Sequence, residues 1–270
     1  MMDEAAKRLI ENHNLTVIKS RSEIRDKALI FKDSVEQITN FRIAACANVA
    51  SKAPMVDEAG NILATDVFGW RDNDDSWWRR PELALSSPIP RACRYEGEAF
   101  WCNESGFYTR LPNGLLDEID LGKFSSHVRP KAIMCVPVHM PFGQIGAVSF
   151  SSPDLEKDDL SEEFEKYGHA LEALSRAFII SYVKVSDQRN WIPADCSLSK
   201  REVQCVSWAA LGKTDREIAL ILSRSCATVR FHLQNAAQKL NAVNRSQTVF
   251  KASQLGYLGS VAVSLSLIHI

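Results

Sequence analysis

The sequence predicts two domains: an α+β domain built on an antiparallel sheet with flanking helices, and a smaller all-α domain after it. Paired strand-like runs between amphipathic helical segments predict the first domain. Closely spaced helix caps in the last quarter of the chain predict the second. A length of 270 residues is enough for both domains to bury a core.

The first elements expected along the chain are a helix and a hairpin. Apolar residues recur every three to four positions over residues 23–39, which is the spacing of an amphipathic helix. Residues 41–49 and 62–68 are strand-like runs separated by a polar stretch that contains Pro and Gly. This pair predicts two strands joined as a hairpin.

A second hairpin and a long helix complete the predicted α+β domain. Residues 132–139 and 144–151 are strand-like and flank a Pro-Phe-Gly turn. Ser161, followed by two glutamates, predicts the start of a helix whose apolar residues mark one face. Residues 70–125, between the hairpins, show no clear period and are rich in Trp, Pro and Arg. Long irregular segments inside domains are often functional.

The composition favours a globular protein and excludes several classes. Apolar residues make up 46% and charged residues 24%, which excludes wholesale disorder. No apolar run is long enough to cross a bilayer, and the acidic N-terminus lacks the pattern of an export signal, so we expect a cytoplasmic protein. The seven cysteines show neither metal-ligand spacing nor the pattern of a nucleophile. We therefore expect no metal, no cofactor and no catalytic residues.

Charge is distributed unevenly along the chain. Residues 197–257 contain nine basic and three acidic residues, a formal charge of +6. The remainder contains 23 basic and 30 acidic residues, a formal charge of −7. A basic C-terminal module joined to an acidic body predicts that the C-terminal module is the part that contacts phosphates.

The C-terminal segment has the pattern of a helix-turn-helix. Ser199 with Glu202, and Thr214 with Glu217, form two capping boxes that start two short helices. A polar turn at residues 223–225 leads to a third helix with one apolar face and one polar, basic face. A helix, a tight turn and a second helix of this kind can place that second helix in a DNA major groove.

A set of residues in this segment carries a family resemblance. They are Leu198, Ser199, Arg201, Glu202, Trp208, Gly212, Lys213, Thr214, Glu217, Ile218, Ala219, Thr228, Val229, His232, Lys239, Leu240, Asn244 and Arg245. The pattern resembles the DNA-binding domain shared by LuxR-type and NarL-type regulators, which implies base contacts from Arg, Gln and Asn and phosphate contacts from Lys. The residues that the resemblance places at DNA are Lys213, Thr214, Thr228, Arg230, His232, Gln234, Asn235, Lys239 and Arg245.

The N-terminal region carries a second, partial resemblance. Four short motifs occur in order: Ser87-Pro88-Ile89, Ala92-Cys93-Arg94, Phe100-Trp101 and Gly146-Ala147-Val148-Ser149. Together with the α+β layout, they resemble the autoinducer-binding domain of quorum-sensing LuxR proteins, which holds acyl-homoserine lactones between a sheet and helices. The alternating strands and helices and the acidic cluster of a phosphoacceptor receiver do not occur in the sequence.

The sequence departs from that family at the position before Pro88. The family usually has Asp there, which binds the amide N–H of the lactone, whereas this chain has Ser87. A carboxylate accepts a stronger hydrogen bond than a hydroxyl. A different small-molecule ligand, or no ligand at all, therefore remains an alternative. The resemblance implies an apolar pocket with a few polar anchors, although the same aromatics would suit a core or a dimer surface. The implied pocket residues are Trp70, Trp77, Trp78, Ser87, Trp101 and Ser149.

These inferences divide the chain into a sensor domain, residues 1–185, a linker, residues 186–197, a helix-turn-helix domain, residues 198–258, and a tail, residues 259–270. We expect a sequence-specific transcription regulator of the LuxR quorum-sensing type that responds to an acyl-homoserine lactone or a related signal. We expect it to bind palindromic double-stranded DNA as a homodimer and to have no membrane partner. The alternatives are a ligand-independent regulator or a protein-interaction module. An enzyme that modifies a small molecule is a remote third hypothesis, since no nucleophile–base pair supports it.

Overall fold

In the computed structural model, the residues that the structure describes are 13–51, 53–70, 87–122, 124–127, 129–186 and 196–258, together with Glu4, Lys7 and Ile10. The chain divides into two units, and the main boundary falls between residues 188 and 189. Trp77, Trp78, most of the expected linker and the tail lie outside the described residues. Within the described ranges, no helix combines the length and the apolar character needed to cross a membrane.

The N-terminal unit contains both helices and strands. Its helices are α1 (Ile24–Glu36), α2 (Leu63–Asp66), α3 (Pro88–Tyr95), α4 (Gly114–Asp117), α5 (Phe124–His127) and α6 (Ser161–Ser186). Its strands are β1 (Arg42–Cys46), β2 (Phe100–Asn103), β3 (Gly106–Thr109), β4 (Ala132–His139) and β5 (Ile145–Ser151). Single tight helical turns occupy His13–Thr16 and Arg21–Glu23, and β4 and β5 are joined through Pro141–Gly143, where Phe142 has a left-handed backbone with φ of 66°.

The strands of the described residues form one antiparallel sheet in the order β1-β5-β4-β2-β3. Val148 at the middle of β5 lies opposite Ala45 of β1 and Val136 of β4, which sets the register. In β4, seven consecutive residues are buried, because both faces of the sheet are covered. The predicted antiparallel sheet with flanking helices is therefore confirmed.

Each face of the sheet has its own core. On the first face, α1 and α6 pack against the strands, and the rings of Phe31 and Phe178 stack 4.7 Å apart with an interplanar angle of 9°. On the second face, α3, α4 and α5 cover a cluster that includes Cys93, Phe124 and Cys135. Residues that alternate along a strand therefore belong to different cores.

The predicted strand at residues 62–68 is wrong, and with it the first hairpin. The structure forms the short helix α2 there, and β1 pairs instead with β5. Leu63, Ala64, Val67 and Phe68 are the buried residues, and this spacing is helical. Strict alternation would have placed Asp66 on the apolar face of a strand, which explains why the helix is preferred.

A hairpin that the sequence analysis missed lies in the irregular region. The strands β2 and β3 pair in antiparallel fashion around a two-residue turn, and Asn103 accepts a 2.8 Å hydrogen bond from the backbone N–H of Ser105. Each strand has four residues, so a period of two repeats too few times to be recognised. The hairpin extends the sheet beyond β4.

The C-terminal unit is helical throughout its described secondary structure. Its helices are α7 (Lys200–Ala210), α8 (Asp215–Ile221), α9 (Cys226–Lys239) and α10 (Arg245–Gln254). Both predicted capping boxes are present, at Ser199 and at Thr214. The apolar faces of the helices meet in two adjacent clusters, of which Val206 and Val229 are fully buried members. The predicted helix-turn-helix is confirmed.

Candidate nucleic-acid interface

A tight turn fixes the angle between α8 and α9. Ser223 adopts a left-handed backbone with φ of 51°, and the N–H of Arg224 donates a 2.9 Å hydrogen bond to the carbonyl of Ala219. The hydroxyl of Ser225 then caps α9 by accepting a 3.1 Å hydrogen bond from the N–H of Thr228. This local chemistry ends α8 and starts the helix that would enter a groove.

The exposed face of α9 carries the residues best placed to read bases. Arg230 and Gln234 are one turn apart and both are exposed, and the Arg230 side chain retains 71% of its accessible surface. The opposite face, with Val229 and Ala236, is buried in the domain core. The helix therefore presents a guanidinium and an amide together to solvent.

Basic residues from neighbouring helices lie beside this face. Arg245, at the start of α10, donates a 2.5 Å hydrogen bond to the carbonyl of Lys213, which precedes α8. The Lys213 ammonium lies 3.6 Å from a carboxylate oxygen of Glu217. Arg230, Gln234 and Arg245 line one depression of about 310 Å³. The structure thus groups four of the predicted DNA-contacting residues, Lys213, Arg230, Gln234 and Arg245.

The remaining predicted DNA-contacting residues lie elsewhere. His232, Asn235 and Lys239 project about 140° to 180° away from Arg230 around the axis of α9, because each residue advances the helix by about 100°. Lys239 pairs with the carboxylate of Glu202 on α7 at 2.8 Å. The hydroxyls of Thr214 and Thr228 take part in the two helix caps.

Two residues of this surface were not among the sequence predictions. Phe231 is 59% exposed and lies about 60° beyond Gln234 around the helix axis as seen from Arg230. Asp215 bridges Arg230 and Arg245. The period of α9 alone could have identified Phe231, since it falls on the face opposite Val229, but the position of Asp215 depends on three helices.

The predicted ligand-binding residues that the structure describes are divided between the two faces of the sheet. Trp70 and Trp101 pack on the first face, where Trp101 stacks on Tyr108 at 4.0 Å. Ser149 lies on the second face, opposite Cys135 in the sheet register. Ser87 is buried at the start of α3, and its hydroxyl does not cap that helix.

The side chains of Trp70 and Ser149 already have hydrogen-bond partners within the protein. The Trp70 ring donates a 2.5 Å hydrogen bond from Nε1 to the carbonyl of Ile43, and the Arg42 guanidinium lies 4.3 Å from its ring centre. The Ser149 hydroxyl donates a 3.4 Å hydrogen bond to the carbonyl of Ala44. The structure therefore does not bring Trp70, Trp101, Ser87 and Ser149 around one cavity.

The second face of the sheet contains a cluster of thiols. The Sγ atoms of Cys93 and Cys135 lie 3.6 Å apart. Burial, with a smaller effect of Cys93, raises the pKa of Cys46 to about 12, and burial raises the pKa of Cys102. The hydrogen bond with Cys93 and burial raise the pKa of Cys135. Such thiols stay protonated at neutral pH and pack as apolar groups. Among the described side chains, no group of three or more His, Cys, Asp and Glu residues is arranged to hold a metal ion.

Comparisons with known proteins address the C-terminal unit most directly. Residues 196–252 match the sequence profile of the family described as bacterial regulatory proteins, luxR family. The transcriptional activator protein VanR of Vibrio anguillarum is 37% identical over 131 residues, which cover 47% of this chain and 52% of VanR. The HTH-type quorum sensing-dependent transcriptional regulator VjbR of Brucella ovis is 54% identical over 61 residues, which cover 23% of this chain and 24% of VjbR. These matches span about half the length of VanR and a quarter of that of VjbR.

A solved structure extends the comparison to the whole fold. The crystal structure of Escherichia coli SdiA matches with a TM-score of 0.51 and 20% identity, covering 95% of this chain and 100% of the SdiA chain. At this identity the likeness concerns the fold, an α+β domain followed by a helix-turn-helix. The sequence profile and the observed helix geometry agree on the second domain. Residues 196–252 of this protein are therefore similar in sequence to the luxR family of bacterial regulatory proteins.

Proposed function

We propose that this protein is a transcription regulator that binds specific DNA sequences through residues 198–258. The observation that carries the proposal is the exposed face of α9, where Arg230, Phe231 and Gln234 lie side by side. Arginine can bind guanine with two hydrogen bonds, glutamine can bind adenine in the same way, and an aromatic ring can contact the methyl group of thymine. The formal charge of +6 on residues 197–257 favours the approach to DNA.

Phosphate contacts in this proposal flank the base-reading face. Lys213 and Arg245 bind the DNA backbone beside α9. Thr214 and Thr228 stabilise the starts of α8 and α9. The protein acts as a homodimer on a palindromic site, since two-fold symmetry in such regulators matches the symmetry of the operator. We place this activity in the cytoplasm, where DNA is accessible.

The N-terminal unit, residues 1–185, is the regulatory part of the proposal. VjbR carries a name that specifies quorum-sensing dependence, and VanR is named a transcriptional activator. By analogy, we infer that the N-terminal unit binds an acyl-homoserine lactone or a related small molecule and sets whether DNA is bound. No enzymatic activity is part of this proposal.

A ligand-independent regulator is the second candidate. It is favoured by one observation: Trp70 and Trp101 lie on one face of the sheet, whereas Ser149 lies on the other. Ser87 also lacks the negative charge that would hold an amide N–H most strongly. In this alternative, the N-terminal unit acts through protein contacts alone.

The test of DNA binding uses the full chain and duplexes selected by it from a random-sequence library. We expect Arg230→Ala to weaken binding to the selected duplex by about 1–3 kcal/mol and to relax the preference at one base pair. Lys213→Ala should weaken the selected and a scrambled duplex alike and lower the salt slope by about one. Lys32→Ala in α1, the same chemical change outside the proposed interface, serves as the matched control. Failure of the library to yield any enriched sequence would overturn the proposal.

A further inference from the structure

Asp215 holds two arginines from two other helices. It is the first residue of α8, and its Oδ1 atom lies 2.6 Å from Nη1 of Arg245 at the start of α10. Its Oδ2 atom accepts a 3.4 Å hydrogen bond from Nε of Arg230 on α9. The carboxylate is 26% exposed, so it is shielded from water more than either arginine. One acidic side chain therefore joins the three helices that surround the depression.

The atoms used in this contact determine what Arg230 has left to offer. The hydrogen bond to Asp215 engages Nε, on the side of the guanidinium, while the end of the side chain carries Nη1 and Nη2. A fork of two parallel hydrogen bonds to the O6 and N7 atoms of guanine can use those two end groups. Holding Nε also limits the rotation of a long side chain, so less conformational freedom is lost when the base is bound.

The same contact changes the affinity for phosphates. Asp215 shares one negative charge between two guanidiniums, so Arg230, Arg245 and Asp215 together carry a charge of +1 instead of +2. A phosphate that approaches either arginine also approaches a carboxylate of like charge. Binding to DNA of arbitrary sequence depends almost entirely on phosphate contacts, whereas binding to the correct sequence gains base contacts as well.

We propose that Asp215 is a specificity-determining residue of the DNA interface: it orients Arg230 toward a base edge and weakens the sequence-independent attraction of Arg230 and Arg245 for phosphates. This inference rests on the proposed function. Asp215 affects DNA binding through its contacts with Arg230 and Arg245. A purely structural role is the competing explanation, because an acidic residue in the first turn of a helix also stabilises that helix.

The experiment measures the affinity of the full chain for two duplexes over a range of salt concentrations. One duplex is the sequence selected from the random library, and the other is its scrambled counterpart. Asp215→Asn keeps the size of the side chain and removes its charge. We expect it to raise the affinity for the scrambled duplex by about fivefold to tenfold near 0.1 M salt, with a salt slope steeper by about one. The affinity for the selected duplex should rise less, so that the ratio of the two affinities falls by at least about threefold.

Two comparisons separate this mechanism from a general effect of charge or folding. Ser197→Lys adds the same charge at an exposed residue that is not part of the cluster, and it should leave the ratio of affinities unchanged. In the Arg230→Ala/Arg245→Ala background, adding Asp215→Asn should no longer change the ratio, because its partners are absent. Asp215→Ser, which retains a residue suited to a helix start, is the second variant if Asp215→Asn lowers the Tm.

The outcomes distinguish a failure of the role of Asp215 from a failure of the proposed function. An unchanged affinity ratio in Asp215→Asn and Asp215→Ser, with the wild-type chain still selecting a sequence, overturns the role of Asp215 and leaves the proposed function standing. A change in the ratio that persists without Arg230 and Arg245 also overturns it. If the wild-type chain selects no sequence at all, the proposed function fails first.

Discussion

The carboxylate of Glu202 accepts a 2.8 Å hydrogen bond from the ammonium of Lys239, which ties the first turn of α7 to the last turn of α9. Only 4% of the Glu202 side chain is exposed, and the same carboxylate also accepts a hydrogen bond from the backbone N–H of Ser199. Burial acts to raise the pKa of Glu202, but the hydrogen bonds from Lys239 and Ser199 outweigh it, and the pKa lies below its usual value. Lys239 lies on the side of α9 away from Arg230, so its main effect in the structure is to hold that helix.

The first prediction concerns this ion pair. Lys239→Met leaves a buried carboxylate without its partner, and we expect the free energy of unfolding of the C-terminal unit to fall by about 2 kcal/mol at pH 7. Because the pKa of Glu202 is lowered in the folded state, its contribution is present above the usual pKa of 4.5 and is lost as the pH falls through the folded value. The difference between variant and wild type should therefore shrink below pH 4.5. Hydrogen exchange of the α9 amides in the full chain measures both effects.

Lys213→Met is the matched control for that measurement. Its ammonium lies 3.6 Å from Glu217, and both side chains are substantially exposed. Exposed pairs of this kind contribute about 0–1 kcal/mol, so the α9 amides should exchange nearly as in the wild type. Equal effects of Lys213→Met and Lys239→Met would contradict the structural role of the Glu202–Lys239 pair.

The second prediction tests the core of the first sheet face. Phe178 of α6 is fully buried and stacks on Phe31 of α1, so Phe178→Ala removes a large apolar contact and leaves a cavity. We expect the N-terminal unit to lose about 3–5 kcal/mol of unfolding free energy. Urea denaturation followed by near-ultraviolet circular dichroism measures the loss. Leu115→Ala, at an exposed position of α4, should change stability by less than about 0.5 kcal/mol.

The third prediction concerns the thiols of the second sheet face. The pKa values of Cys46, Cys102 and Cys135 are raised, so the reactive thiolate is scarce at pH 8. We expect iodoacetamide to label the partly exposed Cys226 within minutes and to leave the buried Cys102 and Cys135 unmodified in the native protein. Peptide mass spectrometry gives the extent of labelling at each position, and labelling in urea shows that all are competent to react. Native labelling of Cys102 or Cys135 as fast as that of Cys226 would contradict the buried cluster.

The fourth prediction separates the two candidate roles of the N-terminal unit. If an acyl-homoserine lactone binds beside Ser87, Ser87→Asp should strengthen binding, because a carboxylate restores the charge-assisted hydrogen bond to the amide N–H. If a different ligand binds there, the buried carboxylate stays unpaired and binding weakens. A thermal-shift titration over a panel of lactones reports the outcome, since a ligand that binds only the folded state raises the Tm. The absence of a shift in both proteins would favour the ligand-independent regulator.

Much of the C-terminal unit could be predicted because its determinants are local. The capping boxes at Ser199 and Thr214 join residues three positions apart, and the buried face of α9 follows a period of about 3.6 residues. Both appear in the structure where they were expected. The pair of Arg230 and Gln234 was predictable for the same reason, since four positions equal about one turn of a helix.

The sequence by itself therefore determined the fold class, the helix-turn-helix and the shared exposed face of Arg230 and Gln234 on α9. Tertiary structure alone decided that β1 pairs with β5, that Trp101 and Ser149 lie on opposite faces of the sheet, and that Asp215 lies between two arginines. These features join residues far apart in the chain, and their energies depend on which surfaces are buried together. A periodic pattern contains information about neighbours within a turn or a strand, but it does not specify which of two covered faces a residue will join.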